Sequence, residues 1–141
     1  MERNSKDKIT LSKNLEKNSI GNTGLEITKI GMGGAPLGHL DEITALKTLE
    51  KAFESGINYF DTAPLYGAGN SEKLYGKFLP NLDRDNFVIS SKVGRLILPE
   101  EEAKKYISNQ DITPALETNL KASSYKNNVV FNFTREGVLR S

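Results

Sequence analysis

The sequence predicts an α/β fold in which short buried strands alternate with surface helices. Three observations carry that expectation. Asn58 to Phe60 is a short, strand-like stretch that the polar pair Asp61-Thr62 ends abruptly, which places a carboxylate at a strand's C-terminal tip. Phe87 to Ser91 is a second apolar strand, and it ends in Lys92. Across Asp41 to Ser55, the residues Ile43, Ala45, Leu46, Leu49, Ala52 and Phe53 recur at helical spacing, with Asp41 placed to cap the start and Gly56 suited to the position after the end.

Taken in order, Met1 to Glu16 is polar, carries charges of both signs and has little periodicity, so a mobile leader is expected ahead of one folded unit from residue 17 to 141. Lys17 to Ile27 reads as a hairpin turning at Gly21-Asn22-Thr23-Gly24, because Asn and Gly tolerate the positive φ of tight turns. Thr28 to Gly33 reads as the first strand of the alternating part. Gly33-Gly34-Ala35-Pro36 follows, bare enough for a flat ring to approach the backbone, although a plain turn uses the same residues. Neither Gly31-Met32-Gly33 nor Gly67-Ala68-Gly69 opens a dinucleotide fingerprint, since Pro36 and Glu72 stand where the third glycine belongs.

A shorter helix is expected from Ser71 to Phe78, with Asn70 as its N-cap, Leu74 and Phe78 on one face and Pro80 as its stop. Arg95 to Asn128 then breaks the alternation. Pro99 with Glu100, Glu101 and Glu102 opens a helix, and Glu100 to Lys104 and Glu101 to Lys105 are favourable i,i+4 pairs on a solvated surface. Asp111 to Leu120 is expected to form a further turn or short helix, and Val129 to Phe133 a short strand or hairpin arm. Lacking a sustained apolar face, Arg95 to Asn128 is expected to be a loop on the substrate side.

Composition narrows the function. The chain has 141 residues, 37% hydrophobic and 26% charged, with a net charge of +1 that points to neither nucleic acid nor an acidic membrane surface. With no cysteine there is no disulfide and no thiolate metal site, and no metal is expected. No apolar run suits a signal peptide or a membrane span, so a cytoplasmic location is expected.

The chemistry lies in three residues. Asp61 and Lys92 would sit at the tips of neighbouring strands about 4.8 Å apart, with Tyr66 on the loop between Pro64 and Gly67. A phenol with a reference pKa of about 10 is a poor acid near neutrality, and an adjacent ammonium favours its ionised form. A carboxylate beside that ammonium keeps it charged and fixes its direction. Each residue also has an ordinary explanation: Asp-Thr as a cap, a packed loop tyrosine, a solvated terminal lysine.

The run Gly56-Ile57-Asn58-Tyr59-Phe60-Asp61-Thr62-Ala63-Pro64-Leu65-Tyr66-Gly67, followed by Asn70-Ser71-Glu72 and Ser90-Ser91-Lys92-Val93-Gly94, closely resembles the aldo-keto reductase family. The resemblance extends from about Ile20 to the C-terminus, and Ser90 to Arg95 with Phe131 to Ser141 is most similar to its aldose (threo-aldose or fucose type) 1-dehydrogenases. It implies that Asp61, Tyr66 and Lys92 belong to a catalytic tetrad with tyrosine as proton donor. It also implies NADP or NAD as cofactor, with Gly33, Gly34, Ala35 and Asp61 on the nicotinamide side, and a small carbonyl compound or sugar as substrate. The fold implied is a (β/α)₈ barrel, which takes about 250 residues. In 141 residues the expectation is an incomplete TIM barrel, an N-terminal hairpin plus the first three βα units, with Val138 to Ser141 at the threshold of the next helix.

The family's fourth catalytic residue is a histidine at the end of the fourth barrel strand. The one histidine here, His39, falls in the loop after the first strand and does not match, so it reads as a solvated residue near the mouth of the site. Two rival readings share some of these features. Short-chain dehydrogenases also pair Tyr with Lys, but four residues apart on a helix, and none of the five tyrosines has a lysine at i+4. A truncated or regulatory, non-catalytic domain of the same fold remains the alternative, and the chain alone is expected to be inactive.

Overall fold

The computed structural model describes residues 15–106, 112–114 and 127–141. The leader up to residue 14 and most of Asp111 to Leu120 lie outside these residues.

The chain enters through an antiparallel hairpin, β1 (Lys17–Ser19) and β2 (Glu26–Thr28), paired from Lys17 with Thr28 to Ser19 with Glu26. Glu16, assigned to the leader from the sequence, already takes part: its carbonyl accepts from the Lys29 backbone N–H at 2.9 Å and its carboxylate pairs with the Lys29 ammonium. Thr28 does not continue into the next strand as expected. It is buried and locked to Asn58, whose Oδ1 accepts from the Thr28 backbone N–H at 2.7 Å while its Nδ2 donates to the Glu26 carbonyl at 2.9 Å. The expected strand Thr28 to Gly33 is therefore split, and only β3 (Met32–Gly33) joins the parallel sheet.

That sheet holds β3, β4 (Tyr59–Asp61) and β5 (Val88–Ser90), side by side in chain order and all parallel. Helix α1 (Glu42–Glu54) links the first two, and α2 (Asn70–Phe78) links the second and third. Asp41 caps α1, its side chain accepting from the Thr44 backbone N–H at 2.9 Å, and Gly56 follows the helix at φ +97°. The buried stripe of α1 is Ala45, Leu49 and Phe53, one residue per turn; Ile43, expected on that face, is 67% exposed.

The core lies between these helices and the sheet. Phe60 is fully buried and meets Tyr75 and Phe78 edge-on at ring-centroid distances of 5.8 and 6.2 Å, and Phe53 meets Phe78 at 6.4 Å. Period-two alternation then turns Tyr59 and Asp61 to the opposite face of the sheet. One strand thus supplies the core with Phe60 and the site with its neighbours.

Arg95 to Asn128 is less loop-like than its charges suggest. It begins with β6 (Arg95–Pro99), which pairs antiparallel with β8 (Asn127–Phe131), itself flanked by β7 (Ile112–Pro114). Leu96 and Leu98 are buried in a small second core with Ala103 and Val130. The missed signal is the Leu96-Ile97-Leu98 run, a buried strand too short to show periodicity. The helix expected after Pro99 is present as α3 (Glu100–Ala103), where Lys104 takes both Glu101 at 2.7 Å and Glu100 at 3.4 Å. The chain closes with α4 (Arg135–Arg140), capped by Thr134.

Candidate active site

Asp61, Tyr66 and Lys92 converge at the C-terminal ends of β4 and β5. Lys92 reaches across the strands and donates to Asp61 Oδ1 and Oδ2 at 3.0 and 2.9 Å and to the Thr62 carbonyl at 3.1 Å. Its Nζ lies 4.8 Å from the centroid of the Tyr66 ring, over the face. The register explains the meeting. Asp61 pairs with Ser90 at the last residue of each strand, so Lys92, two residues past the end of β5, lies just beyond the tip of β4 and reaches back to it.

The charges stabilise one another. Partial burial raises the Asp61 carboxyl pKa, but hydrogen bonds from Lys92 and Ser90 and the Lys92 charge outweigh it and hold the group below its ordinary value. Lys92 is held above the ordinary lysine value, first by its hydrogen bond to Asp61, against an opposing desolvation. The Tyr66 side chain is near enough to act on both charges.

Backbone contacts place Tyr66. Its N–H donates to the Ala63 carbonyl at 3.0 Å, closing a turn, and its carbonyl accepts from the Ser71 N–H at the start of α2 at 3.1 Å. Gly67, at φ +61°, packs directly on Gly38 of the 3₁₀ turn Leu37–His39. Asn70, expected to cap α2, instead sits in the helix's first turn, with Nδ2 donating to the Gly38 carbonyl at 3.0 Å. It ties the loop after β4 to the loop after β3.

The expected cofactor-side residues divide into two kinds. Gly33 is exposed, with open space where a Cβ would stand, and Ala35 is also exposed. Gly34 is buried, and a Cβ there would come within 2.6 Å of Ser71 Oγ and 2.7 Å of the Asp61 carbonyl oxygen. Its bareness therefore serves packing. Gly34 also donates its N–H to that Asp61 carbonyl at 2.7 Å, linking the end of β3 to the site. His39 is half-buried at the end of the same 3₁₀ turn.

A cavity of about 390 Å³ adjoins the trio, lined by Tyr66, Lys92, Val93, Arg95 and Phe133 together with Ala63 to Leu65. Phe133 is placed by Gly94, where a Cβ would lie 2.2 Å from the ring, and Arg95 stacks on the neighbouring Phe131 at 4.8 Å. A wider cleft of about 550 Å³ shares Pro64 and Arg95 and carries Glu72, Lys73 and Arg140. The sequence did not single out Arg95 or Phe133 as site residues, because strand pairing between Arg95 and Phe131 brings them there. Among the described residues, no group of three or more His, Cys, Asp or Glu is placed to hold a metal ion, and no helix is long and apolar enough to cross a membrane.

Comparison with known proteins gives the family. Residues 29–127 match the model of the aldo/keto reductase family. Pyridoxal 4-dehydrogenase of Microbacterium luteolum is 39% identical over 134 residues, which is 89% of this chain and 37% of that protein. D-threo-aldose 1-dehydrogenase of a Pseudomonas species is 46% identical over 85 residues, covering 57% of this chain and 26% of its own length. The holo form of an aldo-keto reductase from Bacillus halodurans superposes with a TM-score of 0.53 at 35% identity, over 58% of this chain and 27% of that one, and its family's fold is the TIM barrel. The chain thus spans between 26% and 37% of the length of these relatives. With the family model covering most of its length and Asp61, Tyr66 and Lys92 meeting at the ends of parallel strands, the chain belongs to the aldo/keto reductase family.

Proposed function

We propose that these residues carry the proton-transfer corner of an NADP- or NAD-dependent oxidoreductase that interconverts an aldehyde, ketone or aldose with its alcohol or lactone. The observation that carries this reading is the Lys92 ammonium, held by Asp61 at 2.9 Å and lying 4.8 Å from the Tyr66 ring. Tyr66 gives its hydroxyl proton to the substrate oxygen in reduction and takes the proton back in oxidation. Lys92 favours negative charge on the phenol oxygen as the proton leaves, and Asp61 keeps Lys92 charged and aimed. When bound, the nicotinamide supplies or accepts the hydride at the substrate carbon. Exposed Gly33 and Ala35, with Asp61 beside them, offer an open floor for its ring, and Gly34 shapes that floor from beneath. The substrate would occupy the cavity between Tyr66, Arg95 and Phe133, a size suited to a small carbonyl compound or sugar.

A second reading is favoured by one observation: the chain spans 27% of the solved relative it superposes on. On that reading, residues 17–141 are one corner of a barrel, without turnover by themselves. One assay addresses both. Oxidation of NADH and NADPH is followed with a panel of aldehydes and ketones, and reduction of NAD and NADP with a panel of aldoses, using the chain alone and the chain joined to the C-terminal part of a family barrel. Turnover by the joined protein that Tyr66→Phe lowers by about 10²-fold or more supports the catalytic reading. Near wild-type turnover of that variant sinks it.

A further inference from the structure

The Asp61 carboxylate accepts one hydrogen bond that the proposed mechanism leaves unused. Ser90 Oγ donates to Asp61 Oδ1 at 2.8 Å, and the Tyr59 hydroxyl lies 3.0 Å from Ser90 Oγ. The direction of this chain follows from donor arithmetic. An ionised carboxylate only accepts, so Ser90 gives it the single proton of its hydroxyl, and Tyr59 must then be the donor to Ser90. The bonds run one way, from Tyr59 through Ser90 to Asp61, where they meet the ammonium of Lys92.

Strand register assembles the chain. Tyr59 pairs with Val88 and Asp61 with Ser90, so alternate residues of β4 and β5 face away from Phe60 together. Tyr59 lies against Gly31, where a Cβ would come within 2.6 Å of its ring. The backbone around Asp61 is also held, since its carbonyl accepts from Gly34 and the Thr62 N–H donates to the Ser90 carbonyl at 2.9 Å. What remains free is rotation of the Asp61 side chain. Lys92, although it also donates to the Thr62 carbonyl at 3.1 Å, holds the carboxylate only from the end of a flexible four-carbon stem. A short serine hydroxyl anchored to the neighbouring strand can fix it.

We propose that Ser90, backed by Tyr59, is a positioning residue that fixes the Asp61 carboxylate and thereby sets where Lys92 presents its ammonium to Tyr66. The inference rests on the roles given to Lys92 and Tyr66 in the proposed function. Its physical consequence is separable from turnover: removing a donor to an ionised carboxylate makes that carboxylate easier to protonate. The other groups acting on Asp61, namely Lys92 and Tyr66, are unchanged by the substitution, and the buried Tyr75, on which Asp61 itself acts, is left in place.

The test is the pH titration of the Asp61 carboxyl followed by carbon-13 NMR in the chain, comparing wild type with Ser90→Ala, Ser90→Thr and Tyr59→Phe. Ser90→Ala is expected to raise the Asp61 midpoint by on the order of one pH unit. Ser90→Thr, which keeps the hydroxyl, should restore the wild-type midpoint, and Tyr59→Phe should give a smaller shift in the same direction. In the joined protein, Ser90→Ala should lower kcat while KM holds. An Asp61 titration in folded Ser90→Ala that overlays wild type overturns the proposal, as does failure of Ser90→Thr to restore it. If Ser90→Ala does not fold, Tyr59→Phe decides: an overlay with wild type overturns the proposal and an upward shift supports it. Should Tyr66→Phe leave turnover intact, the functional reading fails while the Asp61 titration still reports on Ser90.

Discussion

Gly38 and Gly67 meet backbone to backbone: a Cβ on Gly67 would lie 2.4 Å from the Gly38 carbonyl oxygen and 2.7 Å from its carbonyl carbon. Through this contact the loop after β3 braces the loop that carries Tyr66. Gly67→Ala combines a clash against backbone with a left-handed φ of +61°, so it should destabilise the chain by about 2 kcal/mol or more. Gly69→Ala is the control. It shares the positive φ, at +90°, but has open space around the added carbon, so it should cost only about 1 kcal/mol. Equal urea midpoints for the two variants would show that the Gly38 contact yields without strain.

Lys92→Met tests the cation apart from the tyrosine. In the joined protein, turnover should fall, because the charge developing on the phenol oxygen then lacks a neighbouring ammonium. Wild-type turnover would reduce Lys92 to a solvated terminal charge.

The Asp61–Lys92 pair should contribute to stability only within a defined pH window. Asp61 is held below its ordinary value near 3.8, so its contribution is present above that value and is lost as pH falls through the folded-state value. Lys92 is held above its ordinary value near 10.5, so its contribution is present below that and is lost as pH rises through the folded-state value. The side chains are 32% and 51% exposed, which limits the pair to about 0.5–1 kcal/mol. The stability difference between wild type and Asp61→Asn should be flat from pH 5 to 9 and shrink below about pH 4. A difference that persists at pH 2.5 would mean that the asparagine disturbs packing.

Phe60 carries the packing beneath the site. Fully buried between Tyr75 and Phe78, it should cost about 3–5 kcal/mol when replaced by alanine, and Phe60→Leu should cost considerably less. Chemical denaturation checks this. A loss under 1 kcal/mol for Phe60→Ala would mean that the core is not closed around β4.

Much of this arrangement was legible in the sequence because it depends on short-range rules. The Asp41 cap, the Gly56 stop and the strand tip at Asp61 follow from local propensity and period-two or period-3.6 patterning, and the structure has them, whereas β5 ends at Ser90, two residues short of Lys92. The resemblance around Asp61-Thr62-Ala63-Pro64-Leu65-Tyr66 supplied the chemical reading that no single residue carried.

What only the tertiary structure decided is how strands and loops distant in sequence are set against one another. The register of β4 against β5 puts Ser90 on Asp61, 29 residues away, and the approach of two loops gives Gly38 and Asn70 their tasks, 32 residues apart. The pairing of Arg95 with Phe131 brings the C-terminal segment to the site wall, although Arg95's own neighbourhood reads as the start of a charged loop. Helix periodicity and capping act within a few residues and so are written locally. Register and loop contact are fixed by which surfaces bury together, and that depends on the whole fold.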